Sequence, residues 1–423
     1  MKIVVVGGGW AGCAAAYEAA KCGAEVMLLE RTDMLLGTGL VGGIMRNNGR
    51  FTAAEEMIAM GGGELFRVID SNCRHKNISF PGHEHASLYD IGKMPALIQE
   101  LLQSIGVKIL YQARVVKAVI EQQRIVRVET SSGDSAEGDI FIDTTGSAGP
   151  INNCARYGNG CAMCILRCPS FGGRVSLTGL AGIPEKTGVK EDGTIGAMSG
   201  SCKLYKDSLA PELVEELNTS GVVIRRIPDH LREDHLDQKA CQQYARKEFA
   251  DNIILLDTGH AKLMTPYFPL SKLQQIPGFA YARYEDPYAG GKGNSMRFMA
   301  MAPRDDGLKV KGLENLFCAG EKAGLLVGHT EAIVTGVLAG KNSVRDAAGK
   351  EPLVLSRKTA IGEAIAYVRE QMETDEGLSR KYTFSGSVFF ERMKELGLYE
   401  TDVEKIGETV HLAGLTGIFE AEL

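Results

Sequence analysis

The chain has 423 residues, 44% of them hydrophobic and 24% charged, which is enough to fill two or three cores and too apolar for a disordered chain. Its formal net charge of −6 supplies no overall basic field for nucleic acid or anionic lipid. No run approaches 18 uninterrupted apolar residues, which excludes a membrane-spanning helix.

The opening stretch "KIVVVGGGWAGCAAAYEAAKCGAEVMLLER" predicts a strand over Lys2–Val6, a glycine-rich turn, an alanine-rich helix from about Gly12 to Cys22, and a second strand ending at Glu30. Gly7, Gly9 and Gly12 have the G-x-G-x-x-G spacing. In that motif one glycine makes the tight turn, one lets backbone approach a pyrophosphate, and one lets helix and strand pack closely. The pyrophosphate then sits on the helix N-terminus, where free N–H groups and the helix dipole stabilise negative charge. Glu30 stands where a carboxylate accepts hydrogen bonds from an adenosine ribose. The apolar run before the glycines is too short for a signal-peptide core. A cytoplasmic setting is therefore expected, with the ten cysteines reduced and available for metal or redox chemistry.

Beyond Glu30 comes "RTDMLLGTGLVGGIMRNNGRF", a loop carrying Arg31, Gly39, Gly42 and Gly43 and ending in Arg46, Asn47 and Asn48. A nicotinamide dehydrogenase would continue with regular βα units, whereas this loop suits a large planar ring lying against backbone. Asn47 and Asn48 are candidate catalytic residues on the side of that ring, and Arg46 a candidate anion anchor; an ordinary turn is the alternative. "FPGHEHASLYD" brings His83, Glu84, His85 and Tyr89 together. It reads as a loop, in which a metal-binding or proton-shuttling histidine pair is the less favoured reading.

Residues 93–143 predict a helix, a strand and a hairpin, then a strand from about Ile140 to Asp143 that ends in Thr144, Thr145 and Gly146. "CAMCILRCP" follows, a C-x2-C-x3-C-P run of Cys161, Cys164 and Cys168. Three readings stay open. The thiolates are ligands of a [4Fe–4S] cluster, with Cys154 or Cys202 as the fourth. Alternatively Cys161 and Cys164 are redox or nucleophilic thiols, favoured by Arg167 nearby, or all are small buried side chains. Cys13, Cys22, Cys241 and Cys318 read as core residues.

Further on, "APELVEELNTSG" and "LDQKACQQYARKEFADNI" predict helices and "GVVIRRI" a strand. Arg297 is a candidate carboxylate anchor or one half of a surface ion pair. A strand from about Asn315 to Cys318 runs into Gly320 and Glu321, and a helix begins near Thr330, just after His329. The last 70 or so residues predict helices. No second G-x-G-x-x-G follows a strand, so a built-in nicotinamide domain is not expected, and electrons come from the substrate, a cluster, a partner protein or transiently bound nicotinamide.

Three of these stretches, the opening βαβ unit, "GDIFIDTTGSAGP" and "GLENLFCAGEKAGLLVGHTEAIVTGVLAGKNSV", resemble the glutathione-reductase-type FAD fold. "VVGGGWAGCAAA", the Gly42–Gly43 loop ahead of Asn47 and Asn48, and "FCAGEKAGLLVGHTEAIVTGVLAGKN" are similar to glucose-inhibited division protein A and to the folate- and FAD-dependent tRNA methyltransferase. "GLVGGIMRNNG" also looks like the flavin subunit of heterodisulfide reductase. The resemblance implies FAD as cofactor, with Thr145 and Gly146 near its adenine half and Gly320 and Glu321 approaching the ribityl chain and pyrophosphate. It also implies that the helix after His329 points its N-terminus at the flavin pyrimidine, with His329 acting near N1 and C2 or merely preceding the helix.

The expected fold is α/β: a Rossmann-like FAD domain in two parts, 1–150 and 305–350, an inserted α+β substrate domain over 151–304, and a helical C-terminal cap over 351–423. The expected function is an FAD-dependent oxidoreductase acting through flavin N5 on a small molecule or with an electron-transfer partner, oligomeric or not. The alternative is an FAD- and folate-dependent RNA-modifying enzyme, disfavoured by the acidic charge balance and by the lack of a long basic cluster.

Overall fold

A run of β-branched residues opens the chain and becomes the centre of its main sheet. Lys2–Val6 (β1) has Ile3, Val4, Val5 and Val6 buried, as expected for a parallel strand covered on both faces. It lies between Glu25–Leu29 (β2) and Ile140–Asp143 (β4), with Lys108–Leu110 (β3) beyond β2 and Leu316–Cys318 (β5) beyond β4. All these pairings are parallel. The structure is a computed structural model and describes residues 1–146, 168–190, 193, 195, 197–198, 202–236, 242–266, 268–285 and 296–420.

Two helices lie together on this sheet because their contact faces carry almost no side chain. Trp10–Lys21 (α1) presents Ala11, Ala14 and Ala15 to His329–Ala347 (α2). A Cβ at Gly336 would overlap the Ala11 carbonyl and stand 2.8 Å from the Ala14 methyl, and one at Gly340 would stand 2.5 Å from the Ala15 carbonyl oxygen. Backbone therefore approaches backbone, and both helix N-termini arrive at the C-terminal edge of the sheet, where ligands of open α/β sheets bind.

Between β4 and β5 the chain builds an antiparallel sheet in the order Cys202–Leu204, Ala261–Leu263, Asn252–Asp257, Val222–Arg226. The helix Pro211–Ser220 covers it through Leu213 and Leu217. The expected single helix over "LDQKACQQYARKEFADNI" is corrected. Its described part is a turn at Gln242–Tyr244, a short helix Lys247–Asp251 and the start of the Asn252–Asp257 strand. The β-branched, apolar "NIILLD" outweighs helix propensity once it has two strands to pair with. "FPGHEHASLYD" is likewise corrected from a loop: Cys73–Phe80 and His83–Tyr89 form a hairpin that turns at Pro81 and Gly82.

The C-terminal helices Ala360–Gln371, Ser387–Glu395 and Val403–Leu412 share one hydrophobic cluster with the sheet. They are fastened to the helix Gly49–Ala59: Thr52 Oγ1 donates to the Glu400 carbonyl at 2.6 Å, and the Phe419 amide to Met60 at 2.9 Å. No helix among the described residues is long and apolar enough to cross a membrane.

Glu56 joins the two parts from inside. Its carboxyl group is 2% exposed and accepts the Ala360 and Ile361 amides at 2.7 and 3.0 Å, capping the helix they open. Burial pushes its pKa from 4.5 up to about 7, although those two hydrogen bonds pull the other way. The folded state thus holds this proton more tightly than the unfolded chain does. The stability contribution is complete below about pH 4.5 and is lost as the pH rises to about 7. Glu56→Gln keeps an acceptor for the cap without the titration. Relative to the wild type it should gain on the order of 3 kcal/mol between pH 4.5 and 8, read from urea unfolding midpoints across that range.

Candidate active site

The three motif glycines do three different jobs. Gly7 has φ +106°, and a Cβ there would lie 2.5 Å from the Thr144 carbonyl oxygen. At Gly12 a Cβ would overlap the Gly7 carbonyl and stand 2.7 Å from Thr144 Oγ1. At Gly9, which precedes α1, a Cβ would meet nothing within 4 Å. Gly7 and Gly12 are glycines for the sake of the fold, whereas Gly9 is bare toward an open space.

That space is a cleft open to solvent, with about 1430 Å³ of non-atom space counting its mouth. One end is lined by Glu30, Arg31, Thr145, Gly146 and Arg174. Gly7, Gly9, Gly320 and Glu321 line it as well, and Gly42, Arg50, Tyr244, Lys262, Met264 and His329 line the far end, where Gly42 meets the His329 ring. A lining that runs from a glycine turn with an acidic residue to the start of a second helix suits an extended dinucleotide.

At the first end Glu30 is 6% exposed. One carboxylate oxygen accepts the Gly8 amide at 2.7 Å and the other accepts both the amide and the hydroxyl of Thr32 at 2.7 and 2.8 Å. The carboxylate is fixed by the glycine turn it serves. Arg31 donates to the Gly172 carbonyl and Arg114 to that of Gly173 at 2.8 Å, which docks the segment after Cys168 here. Asp143, at the end of β4, accepts from Thr145 and Thr178 and so shapes the Thr144–Gly146 turn.

At the far end Gly42 exists to admit an imidazole. A Cβ there would overlap the His329 ring, whose Nδ1 lies 3.4 Å from Tyr89 Oη. Tyr89 in turn donates to the Gly39 carbonyl at 2.8 Å and accepts from Trp10 Nε1 at 3.3 Å. Gly39 and Gly43 do not line the cleft: Gly39 sits on Trp10, and Gly43, at φ +82°, on Thr258.

Arg50, which the sequence reading passed over, is the centre of this end. It is 4% exposed and pairs with Glu331, at 0%, through Nε at 3.1 Å. Its other nitrogens donate to Asn47 Oδ1, the Val327 carbonyl and Thr383 Oγ1 at 3.1–3.2 Å, and it hydrogen-bonds Tyr244. Burial opposes its charge, but Glu331 and Tyr244 beside it together outweigh burial and hold the guanidinium above its ordinary value.

Asn47 and Asn48 lie behind Arg50 and outside the lining of this cleft. The Asn47 amide donates to His83 Nδ1 at 2.9 Å. Asn48 donates to the Gly82 and Ser385 carbonyls and accepts the Glu84 amide. Asn47 is spent on the His83 and Arg50 side chains and Asn48 on backbone. Arg46, read as an anion anchor, is corrected: Asp70 takes it from two sides at 2.6 and 2.8 Å and Glu55 at 2.5 Å. His83 gives Nε2–H to the Gln243 carbonyl, and burial, together with the Arg50 charge, lowers its pKa to about 3. It stays neutral at physiological pH, and His85 is bonded instead to Asn77.

Among the described residues no group of three or more His, Cys, Asp and Glu side chains surrounds a metal position. Cys154, Cys161, Cys164 and Cys241 fall outside the described residues. Cys168 opens a short helix, Cys168–Phe171. Cys13 and Cys318 are fully buried, and burial pushes the Cys318 thiol up to about 12, as core thiols require.

A family model described as FAD dependent oxidoreductase matches residues 2–149, and one described as Glucose inhibited division protein A matches residues 258–351. The chain is similar to FAD dependent oxidoreductases over its first third and to glucose inhibited division protein A over a later segment. The solved structure of GidA from Aquifex aeolicus in one crystal form is 17% identical, covers 97% of this chain and 76% of its own, and superposes with a TM-score of 0.61. A second crystal form gives 16%, 97%, 78% and 0.58. These likenesses establish the shared fold. A curated relative, methylenetetrahydrofolate–tRNA-(uracil-5-)-methyltransferase TrmFO of Caldicellulosiruptor bescii, is 35% identical over 75 residues. That segment is 18% of this chain and 17% of the relative's length.

The glycine roles can be separated by experiment. Gly9→Ala should fold with wild-type stability and bind FAD about tenfold more weakly, a loss of ~1.4 kcal/mol. Gly12→Ala should lose about 1–3 kcal/mol or more of stability through overpacking, read by thermal melts of the cofactor-free protein beside FAD titrations. Arg50→Met, which strands the Glu331 charge, should cost about 3–5 kcal/mol, and pairing it with Glu331→Leu should recover much of that in the same melts.

Proposed function

We propose that the chain works as an FAD-dependent oxidoreductase transferring hydride or electrons through flavin N5, with the adenosine half held at the Glu30 end and the flavin at the His329 end. The supporting observation is Gly9, bare toward the cleft at the start of α1 and followed along the lining by Gly320 and the N-terminus of α2. When bound, FAD supplies the redox chemistry. The chain supplies the rest. Amide groups at the start of α1 receive the pyrophosphate, Glu30 and Thr145 flank the adenosine, and Gly320 and Glu321 line the passage between the two ends. At the start of α2 the helix dipole and His329 stabilise negative charge on the pyrimidine side. Buried Arg50, fixed by Glu331, holds Tyr244 at the wall.

The Cys161, Cys164 and Cys168 run, which follows the Thr145–Gly146 turn in sequence, supplies either a [4Fe–4S] cluster or thiols to the same electron path. A second reading, an FAD- and folate-dependent RNA-modifying enzyme, draws support from the TrmFO and GidA matches. The net charge of −6 weighs against it.

Protein purified without oxygen and assayed for flavin, iron and acid-labile sulfide should hold one FAD per chain that chemical or enzymatic donors reduce. Iron and sulfide near about four each would assign the thiolates to a cluster, whereas flavin without iron would leave thiol chemistry or packing. Absence of FAD uptake, or flavin that no donor or partner reduces, would sink the proposal. RNA binding that weakens steeply with salt would move the weight to the second reading.

A further inference from the structure

A second cavity meets the glycine-lined cleft at one residue. It is lined by Phe80 and Pro81 of the hairpin, by Gln242 and Arg246 of the inserted segment, and by Gly386 and Tyr399 of the C-terminal segment. Among the described residues Gln243 alone lines both spaces.

The position of Gln243 is fixed from several sides. Its carbonyl accepts from His83 Nε2 at 3.1 Å, and Gln242 before it accepts the Ser387 hydroxyl at 3.3 Å. After it, the Tyr244 ring packs on His83 and Phe249, with centroids 4.7 and 5.9 Å away. Its own β-carbon rests on Gly386, where an added Cβ would stand 2.6 Å from it. Backbone and the base of the side chain are therefore held in place.

The carboxamide at the end of that side chain is left over. Gln243 is 6% exposed, and among the described residues its side chain makes no hydrogen bond. A glutamine side chain brings two N–H donors and one carbonyl acceptor. Buried and unpaired, such a group costs stability unless water or a ligand satisfies it. The sealed side-chain atoms without a partner are Arg232 Nε, Thr258 Oγ1 and Glu285 Oε1. The Gln243 carboxamide is not among them, so it keeps an opening onto the spaces it lines.

The surroundings do not select an ion. The charged side chains lining the second cavity are Arg246, Lys394, Glu84 and Glu391, two of each sign. Arg246 pairs with Glu248 at 3.1 Å and Lys394 with Glu391 at 2.6 Å. On the cleft side Arg50, which hydrogen-bonds the neighbouring Tyr244, is balanced by Glu331. A neutral ligand that both donates and accepts suits this setting.

We propose that Gln243 is a specificity-determining residue, pairing its carboxamide with the primary carboxamide of an uncharged small-molecule substrate that enters by the second cavity. The proposal rests on the reading that FAD fills the glycine-lined cleft. A primary carboxamide presents a C=O and an N–H side by side, and so satisfies the Gln243 donor and acceptor together. An N,N-dimethyl amide keeps the C=O and lacks the N–H, which leaves the Gln243 oxygen unpaired. The flavin pyrimidine carries a similar donor–acceptor edge, and the test separates the two sources.

The test is binding of benzamide and butyramide, each against its N,N-dimethyl counterpart, to FAD-loaded protein, read by calorimetry and by perturbation of the flavin absorption band. At least one primary amide should bind tenfold or more tightly than its counterpart. Gln243→Met and the isosteric Gln243→Glu should remove that preference with FAD affinity unchanged, and Gln242→Ala should keep it. Equal binding, binding of neither, or a preference retained in Gln243→Glu would overturn the proposal. So would a tenfold loss of FAD affinity in Gln243→Glu, which would assign the carboxamide to the flavin. A wild-type protein that takes up no FAD fails the cofactor reading instead, and calorimetry with the same amides still reports whether Gln243 confers the preference.

Discussion

The guanidinium of Arg50 is the point at which separate parts of the chain are made into one site. It sits on the helix that follows the Gly42–Gly43 loop, pairs with Glu331 in the first turn of α2, and meets Thr383 of the C-terminal segment and Tyr244 of the inserted segment. A buried ion pair is costly to form, because two charges leave water. Here the cost is offset by hydrogen bonds to nearly every remaining polar edge, and the return is geometric. The start of α2, the loop before Arg50 and the far wall of the cleft are held in one arrangement.

Around that point the cleft is graded from one end to the other. Its first part is backbone: Gly7 and Gly12 give up their side chains to the fold and Gly9 gives up its own to the ligand. Its last part is side chain, with Lys262, Tyr244 and His329 brought in from strand, turn and helix. Backbone amides suit a phosphate group whatever is attached to it, and oriented side chains suit discrimination among substrates. The division follows the chemistry expected of a flavoprotein, in which the cofactor is constant and the substrate is what must be recognised.

The asparagines after the loop show why chemistry-bearing residues can mislead when read locally. Asn47, Asn48 and Arg46 stand close to the expected flavin position in sequence, yet each is consumed by neighbours: His83, the Ser385 carbonyl, and the Asp70 and Glu55 carboxylates. Arg50, four residues past Arg46, faces the cleft. Arg46 precedes the helix, at φ +61°, and Arg50 lies in its first turn, so the elements packed on each side decide which one is spent on the Asp70 and Glu55 carboxylates and which one supports the site.

The sequence by itself determined the parallel sheet, the glycine turn, Glu30 at the end of β2 and the long helix beginning at His329, because each is written in local periodicity, in glycine spacing or in a capped apolar run. It also carried the likeness to GidA, since those signals lie in contiguous stretches. Tertiary structure alone decided the far end of the cleft. Glu331, Tyr244, Lys262 and Arg50 are between 18 and 281 residues apart in the chain, and none belongs to a spaced motif. The strand at Asn252–Asp257 and the addition of Ile44–Met45 to the His83 hairpin likewise depended on partners distant in sequence, because a strand gains its hydrogen bonds from a neighbour that local propensity cannot see.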